Sequence, residues 1–216
     1  MSATPFLDAL ATAEPTAGVY LFRGFVSPAE SEELFVQLND DSKFPWDTKP
    51  VLYGERLTQH AYQYTRGKER LIEKWPGLAR LEALVLRIEQ HFDGKITDVF
   101  CNRFQDPAHE LQWHTDTYGH HIFVLSVGSG RRVQFRELKN RSAVQDVKPS
   151  AGDLYFMPLR VNDTHEHQVC AAERPEDGTR LSFVFFFKTP KYAKDFKITT
   201  RDKIRGFFES VVEQIL

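Results

Sequence analysis

The sequence is poor in sulfur, with two cysteines, Cys101 and Cys170, and two methionines among 216 residues. Two thiols exclude a disulfide framework and a thiolate zinc site; they fit a reducing compartment and leave room for one bridge at most. Charge of one sign is also missing: 28 Lys+Arg stand against 30 Asp+Glu, a net charge of −2. A whole-chain basic surplus of the kind that announces nucleic acid is therefore absent, and any polyanion site has to be local. No apolar run approaches the thickness of a bilayer, so no membrane span is expected. The first basic residue is Arg23, behind Asp8 and Glu14, and no long apolar core suggests a secretory signal, so cytoplasm or nucleus is the expected location.

What is present reads as one domain: 41% hydrophobic and 27% charged residues in a chain long enough for one sizeable core. Two features stand out. There are 18 phenylalanines, which point to a β-rich core, and six of the 8 histidines fall between His109 and His167.

Along the chain, residues 1–18 read as a small, polar leader, and 19–216 as a single domain. Ser27-Pro28-Ala29-Glu30 combines an N-cap, a first-turn proline and a capping-box Glu ahead of Leu34, Phe35 and Leu38, so a helix is expected there. Residues 43–74 are broken by Pro45, Pro50, Gly54 and Gly67 into loops and hairpins, a candidate substrate-recognition lid. Leu81, Leu84, Val85, Ile88 and Phe92 form a second helical stripe, ended by Asp93-Gly94. Beyond it the period approaches 2. Strands are predicted over 98–104, 112–116, 122–127, 132–136, 142–147, 153–157, 165–170 and 180–188, about eight, as in a jelly roll. Ile204, Phe207, Phe208, Val211, Val212 and Ile215 predict a C-terminal helix covering the sheet. The fold class is α+β, mainly β, with a jelly-roll core over 98–188 and flanking helices.

Within that core, His114-Thr115-Asp116 puts an imidazole and a carboxylate two residues apart, on one face of a strand, where both can reach one ion. Alone, such a pair is as readily a solvated surface pair. His167 supplies a second imidazole from a distant strand, with His165 as its rival. Two His and one carboxylate leave open coordination positions, the donor set of non-haem Fe(II) oxygenases that bind a cosubstrate and O2. Arg180 opens the last strand, and a guanidinium at the mouth of an apolar strand asks for a carboxylate, from a dicarboxylate ligand or from a protein Asp or Glu.

In order, Asn102-Arg103-Phe104, His114-Thr115-Asp116, the segment Ser126 to Arg136, Gly152-Asp153-Leu154, His167 and Arg180 resemble the motifs of the AlkB-type 2-oxoglutarate- and Fe(II)-dependent dioxygenases. Upstream, Tyr53-Gly54-Glu55 and Tyr62-Gln63-Tyr64-Thr65-Arg66-Gly67 resemble tyrosine-glycine segments of the nucleic-acid dealkylating members. The resemblance spans roughly residues 50–188. It implies a double-stranded β-helix, iron held by His114, Asp116 and His167, and 2-oxoglutarate bound by Arg180 and Asn102 with Phe104 and Ser182 beside them. It also implies oxidation of the cosubstrate by O2 to succinate and CO2, coupled to hydroxylation of a substrate carbon; on an N-alkylated base the product falls apart to aldehyde and restored base. The chain departs from the family at Phe104, where a Tyr is usual, at Phe186, where a second Arg is usual, and at Thr117-Tyr118-Gly119, where acidic residues are common.

Charge along the chain bears on the substrate. Residues 43–74 carry seven Lys/Arg against four Asp/Glu, a net +3, and residues 131–141 carry five against one, a net +4. With Tyr53, Tyr62, Tyr64 and Tyr118 to stack on an extruded base and Arg66 and Arg132 to meet phosphates, alkylated DNA or RNA is the expected partner of a monomeric enzyme. Two alternatives stay open: the same chemistry on a protein side chain or small molecule, and a cupin-type metal protein using His165, His167 and Glu173.

Overall fold

Residues 10–47, 51–53, 56–65, 73–116, 120–174 and 176–188 are described by a computed structural model, the side chains of 51–59 and 65 apart. The leader's residues 1–9, the predicted C-terminal helix, Arg66 and Tyr118 lie outside the described residues.

Twelve strands form two antiparallel sheets among the described residues. In chain order they are β1 (Glu14–Thr16), β2 (Val19–Phe22), β3 (Val51–Tyr53), β4 (Arg56–Thr65), β5 (Lys95–Phe104), β6 (Leu111–His114), β7 (His121–Gly128), β8 (Val133–Glu137), β9 (Val144–Val147), β10 (Leu154–Met157), β11 (His165–Val169) and β12 (Arg180–Lys188). Three helices intervene: α1 (Pro28–Leu38), α2 (Gly77–Phe92) and the short α3 (Leu159–Thr164). The larger sheet runs β1-β2-β10-β7-β12-β5-β4-β3 and the smaller β6-β11-β8-β9, so each of the eight predicted core strands is present and the two sheets face each other as a jelly roll. No helix among the described residues is long and apolar enough to cross a membrane.

The larger sheet is buried on both faces, and alternation along β12 sorts its side chains. Leu181, Phe183, Phe185 and Phe187 join the core beneath the helices, with Leu34 and Leu38 of α1 and Leu81, Val85 and Ile88 of α2. Ser182, Val184 and Phe186 face the other way, toward the smaller sheet. The phenylalanine-rich composition is thus largely this sheet. α1 begins as its sequence requires: the Ser27 side chain accepts the Glu30 N–H at 3.2 Å, with Pro28 in the first turn. α2 ends at Asp93 in the left-handed region, φ 49°. Gly94 follows because nothing else fits, a Cβ there falling 2.0 Å from the Phe187 ring.

Two expectations change. Glu14–Thr16 pairs with β2 as an edge strand, so the body begins before residue 19. Within 43–74, β3 and β4 pair antiparallel as an expected hairpin, and β4 pairs with β5 from His60↔Arg103 to Thr65↔Asp98, extending the larger sheet. Finally, β6 ends at His114, so Asp116 lies beyond the strand that alternation assigned to it. Both cysteines are free, and burial pushes the Cys101 thiol well above its ordinary range.

Candidate active site

The smaller sheet brings the two imidazoles together by register. β11 runs antiparallel to β6 with His167 directly opposite His114, and the two ring centroids stand 4.2 Å apart. His114, Asp116 and His167 each offer a ligand atom, all within 4.8 Å of one another, the separation a single ion can bridge. His167 Nε2 lies 3.6 Å from Asp116 Oδ2. His114 Nδ1 stands 2.7 Å from the Gln112 carbonyl, which can only accept, so the ring proton sits there and Nε2 is left free as a ligand. Phe135 stacks on the His167 ring at 5.5 Å and fixes its plane. Burial pushes His167 down to about 4, against the pull of Asp116, so at neutral pH the ring is uncharged, the form that binds metal. His165, by contrast, spends Nδ1 on the neighbouring Thr164 hydroxyl at 2.8 Å and does not join the cluster.

Asp116 is held by a residue the sequence did not single out. Asn162 of α3 accepts the Asp116 N–H at 2.7 Å and donates its side-chain N–H to the Asp116 carbonyl at 2.7 Å, pinning the backbone from both sides. α3 is anchored in turn to β7, since the Leu159 N–H donates to His121 Nδ1 at 3.0 Å. His121 is therefore a structural link. The signal available in sequence was only a polar residue following Leu159-Arg160-Val161.

Beside this cluster a cavity of about 190 Å³ opens between the sheets. Its wall is mostly apolar, from residues such as Phe100, Val124, Met157 and Phe186. One polar row crosses it: register aligns Asn102 of β5 with Ser182 of β12 and Ser182 with Ser126 of β7, each buried to 4% exposure or less. Arg180 lies one alternation further along β12, fully buried, with its guanidinium over the Phe104 ring at 5.4 Å. It donates from one Nη to Ser126 Oγ at 3.0 Å, while Nε and the other Nη have no hydrogen-bond partner among the described residues. Burial lowers its pKa to about 10, which leaves it cationic at pH 7. A buried cation with two unsatisfied donors and no carboxylate bonded to it is costly unless an anionic ligand completes it. Among the described residues, no Asp or Glu is bonded to Arg180.

The residues expected to meet substrate fare differently. Tyr62 and Tyr64 pair with Cys101 and Val99, which puts them on the helix-covered face of the sheet, away from the metal cluster. Tyr62 packs edge-on to Phe44 at 5.4 Å, and the Tyr64 hydroxyl donates to Glu82 of α2. Neither is placed to stack on a base at the cavity. Tyr53 lies in β3 at the sheet edge. Of the 131–141 cations, Arg131 is buried and donates to three backbone carbonyls of residues 106, 107 and 109. Arg132 lies 3.6 Å from both Asp146 and Glu173, and Arg136 and Arg141 share Glu166 at 2.6 and 3.1 Å. Arg132, Arg136 and Arg141 thus meet carboxylates from other segments, and Arg131 is spent on the backbone.

No family model and no curated protein matches this chain. Among solved structures, a Pseudomonas putida prolyl-4-hydroxylase is similar at a TM-score of 0.53 and 18% identity, over 85% of this chain and 96% of that one. The non-heme alpha ketoglutarate dependent epimerase SnoN from nogalamycin biosynthesis is similar at a TM-score of 0.59 and 13% identity, over 83% of this chain and 80% of that one. At these identities the likeness is one of fold: the jelly roll described above.

Proposed function

We propose that this protein is an Fe(II)- and 2-oxoglutarate-dependent dioxygenase. One observation carries the reading: a two-His, one-carboxylate cluster lines a cavity whose wall residue Phe104 lies under the guanidinium of a buried, incompletely bonded arginine, a pairing suited to the two ends of a chelating dicarboxylate. The donor set fits iron better than zinc, because three protein ligands on one side leave positions for a chelating cosubstrate and O2. Fe(II), when bound, supplies the coupling of cosubstrate decarboxylation by O2 to hydroxylation of a substrate C–H bond. The protein does the rest. His114 and His167 present ring nitrogens, Asn162 holds the Asp116 backbone, and Arg180 meets the far carboxylate with Ser182 and Asn102 in the same polar row. The apolar remainder of the wall excludes water from the reacting groups.

The substrate proposed on the ordered AlkB-type motifs is an N-alkylated nucleic-acid base, released by oxidative demethylation. The engagement of Arg131, Arg132, Arg136 and Arg141 within the protein favours a second reading, the same chemistry on a protein side chain or small molecule, since a polyanion needs free cations.

Anaerobic addition of Fe(II) and then 2-oxoglutarate is expected to give a metal-to-ligand charge-transfer band that is absent in His114→Ala. No band from properly metallated wild-type protein overturns the dioxygenase reading. Arg180→Met is expected to weaken 2-oxoglutarate binding by on the order of 100-fold with Fe(II) affinity retained, because two charge-assisted bonds are lost. Succinate release and base mass spectrometry with methylated single- and double-stranded oligonucleotides then separate the substrates. Loss of the methyl group supports the base; succinate formed without any base product supports the second reading.

A further inference from the structure

Tyr155 is a polar side chain that nothing above employs. It sits in the middle of β10, 5% exposed, paired with Leu21 of β2 on one side and Val124 of β7 on the other. In the run Leu154-Tyr155-Phe156-Met157, alternation sends Leu154 and Phe156 into the core beneath the helices and Tyr155 and Met157 to the cavity between the sheets. Its phenol is within Coulombic reach of Arg180 at one end of the site and of Asp116 at the other. A tyrosine that lines the cavity beside the metal-ligand cluster and interacts with a buried guanidinium, in a mostly apolar wall, is an expensive choice unless its hydroxyl meets a partner.

We infer that Tyr155 is a cosubstrate-binding residue: its phenolic O–H donates to the far carboxylate of the dicarboxylate held by Arg180, supplying from β10 a second donor on the side that β12 does not reach. This inference rests on the oxygenase reading and adds to it a specific residue and role. Chemistry and placement agree. Burial pushes the phenol up to about 12, so it stays protonated at every working pH and acts as a donor toward an anion. Arg180 already spends one Nη on Ser126, so its fork covers part of a carboxylate and leaves lone pairs for another donor. With Arg180 and Tyr155 at one end, the site reads chain length and terminal charge together, favouring a five-carbon 2-oxo diacid over a 2-oxo monoacid of the same length.

The test compares 2-oxoglutarate with 2-oxopentanoate, which has the same chain ending in a methyl group. Both are titrated calorimetrically under anaerobic conditions into the Fe(II)-loaded full chain, as wild type, Tyr155→Phe and Arg180→Met, with melting temperature as the folding control. Tyr155→Phe is expected to weaken 2-oxoglutarate on the order of tenfold, the loss of one hydrogen bond to a charged group, with Fe(II) and 2-oxopentanoate affinities within about twofold of wild type. Unchanged 2-oxoglutarate affinity overturns the inference, and so does parallel weakening of both oxo acids or of Fe(II), the mark of a packing role. If Arg180→Met loses 2-oxoglutarate while Tyr155→Phe does not, the oxygenase reading stands and Tyr155 has no part in it. If metallated wild-type protein binds no 2-oxoglutarate, both fall.

Discussion

Removing the amide of Asn162 tests whether the candidate metal site is built by strand register alone. His114 and His167 are fixed by the β6–β11 ladder, but Asp116 lies past the end of β6 and takes its position from two 2.7 Å hydrogen bonds to Asn162, which is 2% exposed. Each bond contributes about 1 kcal/mol net, and losing both leaves an N–H and a carbonyl of Asp116 without these partners, so Asn162→Ala is expected to cost about 2 to 4 kcal/mol of local order. Because that order fixes one ligand of three, Fe(II) affinity is expected to fall by on the order of 10- to 100-fold, the usual scale for a residue that positions a ligand. Asn162→Asp is a sharper variant. It keeps the acceptor for the Asp116 N–H but loses the donor to the carbonyl and sets a carboxylate against it. The assay is an anaerobic Fe(II) titration, paired with hydrogen exchange at the Asp116 amide. Faster exchange together with weaker metal binding supports the positioning role. Faster exchange with Fe(II) affinity within twofold of wild type refutes it, since Asp116 would then find its ligand geometry without help.

Two further outcomes follow from packing and protonation. Gly94→Ala drives a methyl into the Phe187 ring, whose nearest carbon lies 2.0 Å from the added Cβ, and that ring is fully buried. A destabilisation of about 2 to 3 kcal/mol is expected, read as a melting temperature lower by roughly 5 to 10 °C; an unchanged melting temperature contradicts the packing around α2. The metal-free protein should lose stability in acid because of His167. Its pKa is near 4 when folded, against 6.5 for an ordinary His, so between these values the unfolded chain binds a proton that the folded chain does not. Stability from this group is complete above pH 6.5 and falls by about 3 kcal/mol as the pH drops to 4. Urea denaturation across that window checks the slope, which His167→Gln should flatten.

Much of this was legible in the sequence, for identifiable reasons. β12 is legible with its observed bounds because five consecutive residues of strong β preference, Phe183 to Phe187, lie between Arg180 and Lys188. α1 was readable because its N-cap chemistry is local. What escaped depends on pairing at a distance. Glu14–Thr16 is three residues long and becomes a strand only against β2. Tyr62 and Tyr64 do alternate as a strand should, but period 2 cannot say which face meets the helices and which the cavity. Tyr155 was hidden in an apolar run buried on both faces, where alternation carries no polarity signal. The basic surplus of residues 131–141 is offset in the fold in a way a sum along the chain cannot register, because it omits Glu166, Asp146 and Glu173, which register and looping bring alongside. His114, Asp116 and His167 stand out because the donor set is chemically demanding; Asn162 does not, because an asparagine in a short helix has many ordinary uses.

The candidate metal ligands belong to the smaller sheet and the loop leaving it, whereas Arg180, Ser182, Asn102 and Tyr155 all belong to the larger one. On the proposed function, the two halves of the chemistry would therefore reside on separate walls joined across a gap, and mutation could tune either without rewriting the other. Such a protein would be free to exchange one organic acid for another by altering β5, β10 and β12 while its metal ligands stay fixed. The gap itself would be the shared variable: a change that spreads the walls would leave each ligand its own site and pull apart a reaction that needs them adjacent.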